Sequence, residues 1–275
     1  MNQLINQYDR NFDPIADHFA KKVYGSLKGQ IRLAVLNQDI SELLTHLPNR
    51  PLKILDVGAG MGQISLNLAK NHQVTLNDIS QNMLNKAKEN ALSLSSSPES
   101  NIEQNLRFIC CPYQDLYKKL TCEKFDVILC HALLEWLAHP DEIMGFFDNF
   151  LAENGLLSLC FYNPSSVIYR NLVMGNFYQL DTPKPATKKS LTPNNPVAFD
   201  EVQQWLNNHN YQTLIRSGIR VFSDYAPLKR GGLNHPDDVI AMELKYARTE
   251  PFWRMGRYLH LAARKITDKS DKQCL

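Results

Sequence analysis

The sequence lacks long apolar runs, paired cysteines and a leader-like start. No apolar stretch approaches the roughly 18 residues that a membrane-spanning helix needs, so we expect no such helix. The six cysteines form no C-x-x-C pair and have no histidine at metal-ligand spacing. The opening residues, MNQLINQYDRNFD, are polar and carry acids, unlike a secretory signal peptide. We therefore expect reduced thiols, no metal site and a cytoplasmic protein.

A large net charge is also lacking, but the charges are divided unevenly along the chain. The formal net charge is +2. Residues 51–160 hold 8 Lys and Arg against 13 Asp and Glu, whereas residues 161–275 hold 16 against 10. The basic excess of the second part indicates an anionic partner, although a run of charge is more often a solvated surface.

Predicted strands and helices alternate through the middle of the chain. Apolar runs predict strands at 52–57, 73–78, 106–111, 125–132, 156–162, within 211–225 and at 258–265. Between the first five strands, the spacing predicts helices at 63–71, 80–94 (with Ser80 as N-cap) and near 140–152. This order predicts a doubly wound, Rossmann-like α/β fold: a mostly parallel seven-stranded sheet with helices on both faces. Its ligand should lie at the carboxyl ends of the strands.

The flanking segments predict additional parts of the molecule. Residues 1–50 form a predicted N-terminal helical segment, with helical spacing over 15–47 and a break near 24–30. The main domain is predicted at 51–266, with an irregular insertion or cap at about 163–197. Residues 267–275 are expected to form a flexible tail.

Three glycines follow the first strand in the stretch ILDVGAGMGQ, residues 54–63. A dinucleotide-binding G-x-G-x-x-G/A loop would need a small residue where Gln63 stands, and the chain has no G-x-x-x-x-G-K-S/T phosphate loop. Counted from Asp56, the loop spells D-x-G-x-G-x-G. This spacing resembles motif I of class I S-adenosylmethionine (SAM) methyltransferases, where glycines let the backbone approach the cofactor without an intervening Cβ.

Polar residues after the next two strands support SAM as the cofactor. Asp78 ends the second strand, 18 residues after Gly60, where an acid can accept both ribose hydroxyls. It could instead serve only as a helix cap. Gln114 and Asp115 follow the third strand, where such enzymes commonly hold the adenine. Together, and in this order, these features favour SAM over a nicotinamide cofactor.

Several longer stretches resemble the tRNA 5-carboxymethoxyuridine methyltransferase family. They include DRNFDPIADHFAKKVYGSLKGQIRLAVLNQDI, HALLEWLAHP, SLCFYNPSSVIYRNLVMGNF, KKSLTPNNPV, GIRVFSDY and EPFWRMGRYLHLAARK, within a likeness that runs from about residue 9 to 266. The resemblance implies methyl transfer from SAM to the carboxylate of 5-carboxymethoxyuridine at the tRNA wobble position, forming 5-methoxycarbonylmethoxyuridine. It also implies that the N-terminal segment covers the SAM site and that the partner is a tRNA anticodon loop.

The resemblance further implies which residues contact SAM. They are Arg32, Gly58, Ala59, Gly60, Asp78, Gln114, Asp115 and His131. Arg32 can clamp the SAM carboxylate with its guanidinium fork, or it can be a surface residue of an amphipathic helix. His131 stands at the ligand-facing end of the fourth strand, where it can contact the ligand or be a satisfied core residue.

A carboxylate acceptor requires no general base, because with a pKa of about 4 it is ionised at neutral pH. Accordingly, we predict no acid–base catalytic residue, and catalysis would depend on orientation and on exclusion of water.

For substrate binding, the candidates are Tyr162, Lys188, Lys189 and Arg220, although Tyr162 is equally compatible with a core position.

Two other functions stay open: a SAM-dependent methyltransferase acting on a small-molecule acid, and a non-catalytic SAM-binding module. The sequence makes no prediction of oligomeric state.

Overall fold

A seven-stranded sheet organises the chain in a computed structural model that describes residues 9–16, 25–95, 102–182, 193, 195–226 and 230–266. Its strands are β1 (Lys53–Val57), β2 (Gln73–Asp78), β3 (Leu106–Cys110), β4 (Phe125–His131), β5 (Leu151–Tyr162), β6 (Tyr211–Ile219) and β7 (Tyr258–Lys265). The spatial order is β3-β2-β1-β4-β5-β7-β6. The first five strands pair in parallel, and β7 runs antiparallel to both β5 and β6. The predicted mostly parallel, seven-stranded sheet is confirmed.

Helices and single helical turns connect these strands. The α-helices of the described residues are α1 (Leu27–Leu44), α2 (Ser65–Leu68), α3 (Gln81–Leu94), α4 (Leu116–Lys119), α5 (Ile143–Phe150), α6 (Pro164–Val173), α7 (Tyr178–Asp181), α8 (Phe199–Asn208) and α9 (Pro236–Tyr246). Short 3-10 turns lie at Asp13–Ile15, Glu103–Asn105, Tyr113–Asp115, Leu134–Trp136, Pro140–Glu142, Gly231–Asn234 and Phe252–Met255. None of the helices in this part of the chain is long and apolar enough to cross a lipid bilayer.

Both faces of the sheet are covered, and the central strands are therefore apolar on both sides. Successive residues of a strand point to opposite faces. Ile54 and Val127 accordingly pack in the core that includes α1, α3 and α9. Leu55 and Ile128 pack in the other core, with α5 and α8. This arrangement explains why the strands could be recognised as continuous apolar runs, and it leaves the strand ends as the free edge for a ligand.

Strand and cap predictions that depend on local pattern agree closely with the structure. The strands at 73–78 and 258–265 have the predicted bounds. Ser80 is the N-cap of α3, and its hydroxyl accepts the Met83 N–H at 3.1 Å.

Two local predictions were wrong, each for a local physical reason. The predicted helix at 63–71 is only the single turn α2, because Gln63 and Ile64 still belong to the wall of a cavity. The strand predicted at 156–162 already begins at Leu151, which pairs with Phe125. Within the predicted insertion or cap at 163–197, the Asn163 side chain accepts the Ser165 N–H at 3.1 Å and starts α6. Helix α9 was not predicted.

A buried carboxylate ties α1 to the far side of the sheet. Asp39 accepts a hydrogen bond from His260 Nδ1 at 2.7 Å and from two guanidinium nitrogens of Arg248 at 2.5 and 3.0 Å. Arg248 also binds the exposed Glu42 at 2.6 Å. Burial alone raises the pKa of Asp39, but the hydrogen bond and charge of His260, with Ser217 and Arg248, outweigh burial and lower it. Asp39 is therefore an ionised group held by contacts that exist only in the folded state.

Asp39→Asn should lower the free energy of unfolding by roughly 3 kcal/mol or more, because it removes one charge of a buried pair. Glu42→Gln is the matched control and should cost no more than about 1 kcal/mol, because Glu42 meets the same arginine at the surface. Urea unfolding measures both. Since the folded pKa of Asp39 is lowered, the deficit should be full at pH 7 and shrink below about pH 4. Equal losses in the two variants would contradict a special role for the buried partner.

Candidate active site

A cavity lies at the carboxyl ends of the parallel strands, around the position where β1 is flanked by β2 and β4. The chain leaves β1 towards one side of the sheet and later returns on the other, so this is the topological switch point of the fold. The cavity wall includes Asp9, Arg10, Phe12, Arg32, Leu36, Asp56, Gly58, Ala59, Gly60, Gln63, Asn77, Asp78, Cys111, Pro112, Tyr113, His131, Leu133, Trp136, Cys160 and Tyr258. It is therefore built from both ends of the chain as well as from the glycine loop.

The glycine loop depends on backbone conformations that side chains disfavour. Gly58, Gly60 and Gly62 have φ values of +71°, +56° and +72°, in the left-handed region that glycine adopts without strain. A Cβ on Gly60 would meet no atom within 4 Å, so the positive φ, rather than crowding, favours glycine there. The Gly60 N–H donates to Asp78 Oδ2 at 2.8 Å, which fastens the loop to the end of β2.

Asp78 presents a fixed carboxylate to this cavity. One oxygen accepts the Gly60 N–H and the other accepts the Ser80 N–H, both at 2.8 Å. Each carboxylate oxygen keeps a further lone pair, so the pair can accept the two hydroxyls of a vicinal diol. Burial raises the pKa of Asp78, and the two N–H donors partly offset that rise. The helix-cap alternative is weakened, since Ser80 supplies the side-chain cap of α3.

Residues ahead of α1 close one side of the cavity. The Arg10 guanidinium lies 4.8 Å from the ring centroid of Trp136, and the Phe12 ring packs edge-on against the same ring at 4.9 Å. Asp9 accepts the Ala138 N–H at 2.9 Å. Sequence reasoning did not identify these contacts. They join positions more than 120 residues apart, and no local pattern marks them.

His131 faces the cavity from the end of β4 and is linked to the buried carboxylate of Asp39. Its Nε2 lies 2.8 Å from Ser158 Oγ, which lies 2.8 Å from His260 Nε2. Burial lowers the pKa of His131 well below 6.5, and the electrostatic effects of His260 and Arg32 add to this shift. A neutral imidazole has one N–H donor and one acceptor nitrogen, so the contact between Nε2 and Ser158 favours a single tautomer of His131.

The structure brings six of the eight predicted SAM contacts into one cavity wall: Arg32, Gly58, Ala59, Gly60, Asp78 and His131. Gln114 and Asp115 line an adjoining depression instead. The Gln114 amide donates to Asp9 at 2.9 Å, and Asp115 pairs with Lys118 at 2.9 Å. After β3, it is Cys111, Pro112 and Tyr113 that border the main cavity.

Two of the predicted substrate residues, Tyr162 and Arg220, are buried next to the cavity, where both contact Tyr258 of its wall. Lys188 and Lys189 are outside the described residues, as is the predicted tail at 267–275.

Comparisons with known proteins agree with the geometry. Residues 48–215 match the model of a family described as a methyltransferase domain. The chain is 37% identical over 263 residues to the tRNA 5-carboxymethoxyuridine methyltransferases of Escherichia coli K12 and O157:H7, covering 95% of this chain and 98% of each relative. Among solved structures, magnesium protoporphyrin IX methyltransferase from Synechocystis has a TM-score of 0.61 at 13% identity, over 92% of this chain and 96% of that one. A plantazolicin methyltransferase has a TM-score of 0.57 at 15% identity, over 92% and 91%. At such identities the structures show the fold alone.

The hydrogen-bond chain makes a prediction about His131 that NMR of imidazole nitrogens can measure. At pH 7 the ring should be neutral and hold its proton on one nitrogen, as set by the hydrogen bond to Ser158, and its signals should stay constant from about pH 6 to 9, because its lowered pKa keeps it neutral there. Ser158→Ala should disturb the tautomer, whereas Ser93→Ala on the exposed side of α3 should not. A wild-type His131 that gains a proton between pH 9 and 6 would contradict this assignment.

Proposed function

The chain belongs to the methyltransferase-domain family and, within it, to the tRNA 5-carboxymethoxyuridine methyltransferases, and from this premise we propose that it methylates the carboxylate of 5-carboxymethoxyuridine at the tRNA wobble position. The methyl donor is SAM and the product is the methyl ester, 5-methoxycarbonylmethoxyuridine. The observation that carries the proposal is the 37% identity over nearly the whole chain, beyond the part matched by the general domain. We place the reaction in the cytoplasm, with tRNA.

Several features of the cavity support binding of SAM there. Asp78 supplies two carboxylate oxygens for the ribose diol, and the open side of Gly60 lets the ligand approach the backbone. Arg32, whose guanidinium carbon lies 3.9 Å from the Tyr258 ring centroid, is held where it can bind the SAM carboxylate. Gln114 and Asp115 stay candidates for the outer edge of the adenine site, where Asp9 joins the two depressions. Bound there, SAM supplies a methyl group activated on a sulfonium.

The protein then needs to orient and desolvate rather than to move a proton. A carboxylate is already ionised at neutral pH, so no residue has to deprotonate it. Residues 9–12 and Trp136 restrict access of water to the cavity, which supports the N-terminal segment as a cover of the SAM site. Since the pKa of His131 is well below 6.5, an enzyme that used His131 as a general base would lose activity only in acid. The rate between pH 6 and 9 is therefore expected to be flat both for a carboxylate acceptor and for an acceptor that His131 must deprotonate. The chemical nature of the product has to distinguish these two acceptors.

Exposed aromatic residues support a single-stranded RNA partner. Tyr169, Phe177 and Tyr178 lie on or beside α6 and α7, and between 45% and 59% of each is exposed. These helices follow β5, so they lie at the carboxyl end of the sheet, where the cavity is. Unpaired anticodon bases can stack on such rings. We propose that this surface contacts the anticodon loop, and that Lys188 and Lys189 add phosphate contacts.

The ester can be recognised by its chemistry. With methyl-labelled SAM and tRNA from cells lacking this protein, the label should enter the tRNA and leave as methanol in mild alkali, because esters hydrolyse whereas methyl ethers and C-methyl groups do not. A transcript with an unmodified wobble uridine is the control and should accept no label. Label that survives alkali would exclude a carboxylate acceptor. No transfer to tRNA at all would favour a small-molecule acid as substrate or a non-catalytic module.

Asp78→Asn should weaken SAM binding roughly 10- to 100-fold, because two ribose hydroxyls lose a charged acceptor worth about 1.5–3 kcal/mol. Calorimetry measures the affinity, and Asp141→Asn, an exposed acid before α5, is the matched control. The variant must keep the cooperative thermal unfolding of the wild type, since Asp78 also holds the glycine loop. Unchanged affinity in a folded Asp78→Asn protein would assign the ribose contact to another residue.

A further inference from the structure

Three arginines meet around two tyrosines beside the cavity, and we call this group the arginine–tyrosine cluster (Arg32, Arg220, Arg257, Tyr162 and Tyr258). The Tyr258 ring is part of the cavity wall, with the guanidinium carbons of Arg32 and Arg220 at 3.9 and 5.6 Å from its centroid. The Tyr162 ring packs edge-on against Tyr258 at 5.5 Å. Arg257 lies 5.1 Å from the Tyr162 centroid. Three permanent positive charges are thus concentrated next to the candidate SAM site.

The guanidinium groups of Arg220 and Arg257 lack a full set of partners among the described residues. Arg220 is only 8% exposed, and its acidic partner, Asp224, is 3.3 Å away and shared with Lys28 at the same distance. The buried Nε of Arg220 and the buried Nη1 of Arg257 have no hydrogen-bond partner in the described part of the chain. Burial lowers the pKa of Arg220; Asp224 opposes that shift, and the neighbouring Arg32 and Arg257 add to it. A buried guanidinium without a full set of partners costs free energy that an anion would recover.

Glu135 is a second acid whose charge reaches this cluster, and burial weakens that charge. Its side chain is 1% exposed. Burial raises the pKa of Glu135 to about 7, although hydrogen bonds from backbone N–H groups and the charge of Arg32 lower it in part. Near neutral pH, Glu135 therefore supplies only part of a negative charge.

The backbone that carries Arg220 is held in an uncommon conformation. Arg220 has a φ of +62°, a region that non-glycine residues seldom adopt. The buried carboxylate of Glu243 stabilises the following loop by accepting the N–H groups of Val221 at 2.6 Å and Ser223 at 2.9 Å. The Arg257 N–H reaches the Arg220 carbonyl at 3.4 Å. Such local strain is maintained only where surrounding contacts impose it, and it concentrates at functional sites.

We propose that Arg220 and Arg257 form the binding subsite for the carboxylate of the substrate nucleotide, and that they hold it against Tyr258 at the cavity wall. This inference rests on the proposed function. A guanidinium fork binds a carboxylate with two parallel hydrogen bonds, which fixes its orientation. Arg32, which lines the cavity, is the arginine that we assign to the carboxylate of SAM. The two anions are thereby assigned to different arginines of one cluster.

The assignment also accounts for release of the product. One carboxylate oxygen forms a bond to the methyl carbon, the carbon–sulfur bond breaks, and its electron pair goes to the sulfonium sulfur. No proton moves. The carboxylate becomes a neutral ester, so its charge-assisted hydrogen bonds to the arginines are lost when the reaction is complete. The same subsite therefore favours the substrate over the product.

The test compares two tRNAs that differ at the wobble base: the substrate carries 5-carboxymethoxyuridine, and the other, used only for binding, carries an unmodified uridine. The variants are Arg220→Gln and Arg257→Gln, and Arg257→Lys should restore part of the effect because it keeps the charge. The matched control is Arg254→Gln, which removes an exposed arginine of the same segment that stacks on Trp253 at 4.6 Å. Each protein is first checked for SAM binding by calorimetry, which shows that it is folded.

The two glutamine variants should raise the KM for carboxylated tRNA roughly 10- to 100-fold, the range of one or two charge-assisted hydrogen bonds. Their affinities for SAM and for the unmodified tRNA should not change, and the control should not discriminate between the tRNAs differently from the wild type. Arg220→Gln changes a buried residue and can prevent folding. In that case Arg257→Gln, at a half-buried position, provides the test. Unchanged discrimination in Arg257→Gln would overturn the subsite. A wild-type protein that does not methylate carboxylated tRNA would instead overturn the proposed function, and the subsite with it.

Discussion

The buried carboxylate of Asp39 is the contact on which the geometry of the site depends. It joins α1 to β7 through His260, and the hydrogen-bond chain continues through Ser158 in β5 to His131 in β4. Arg32 lies seven residues before Asp39, two helical turns away on the same face of α1. One ionised side chain therefore positions both the arginine on one wall of the cavity and the histidine on another. Because an unpaired charge in this place would be costly, the helix has one stable docking position on the sheet.

Burial gives the cavity a consistent electrostatic character. It raises the pKa of Asp56 and of Glu135 to about 7, and it lowers that of His131. Buried carboxyl groups and histidines become neutral when their pKa shifts in this way, whereas arginine keeps its proton. The guanidinium groups of the cavity wall therefore keep their charge. Such a site suits a reaction between an anionic acceptor and a donor that already carries its activation, and it requires no group to exchange a proton.

Sequence patterns predicted the parts of the site that are local in the chain. The alternating apolar runs placed the strands, and the spacing of Gly58, Gly60 and Asp78 placed the loop beside its acid, because strand, loop and strand end follow one another directly. Contacts across the fold carry no such signal. Asp39 and His260 are 221 positions apart, and Tyr258 became part of the cavity only because β7 inserts next to β5. Gln114 and Asp115 were placed by strand order alone, which fixes the neighbourhood but not the direction of a side chain.

The position of β7 also determines at which stage of synthesis the cavity can be completed. This strand is the last in sequence, yet it lies inside the sheet, between β5 and β6. It supplies Tyr258 to the cavity wall and His260 to the hydrogen-bond chain. A growing polypeptide on the ribosome has the glycine loop long before it has these residues, so the cavity stays incomplete until β7 has been made. Before that point, β5 has an unpaired edge that another strand could occupy, and the long sequence separation of the β5–β7 pairing makes this step a slow one. The cavity wall is therefore completed only when the sheet is completed.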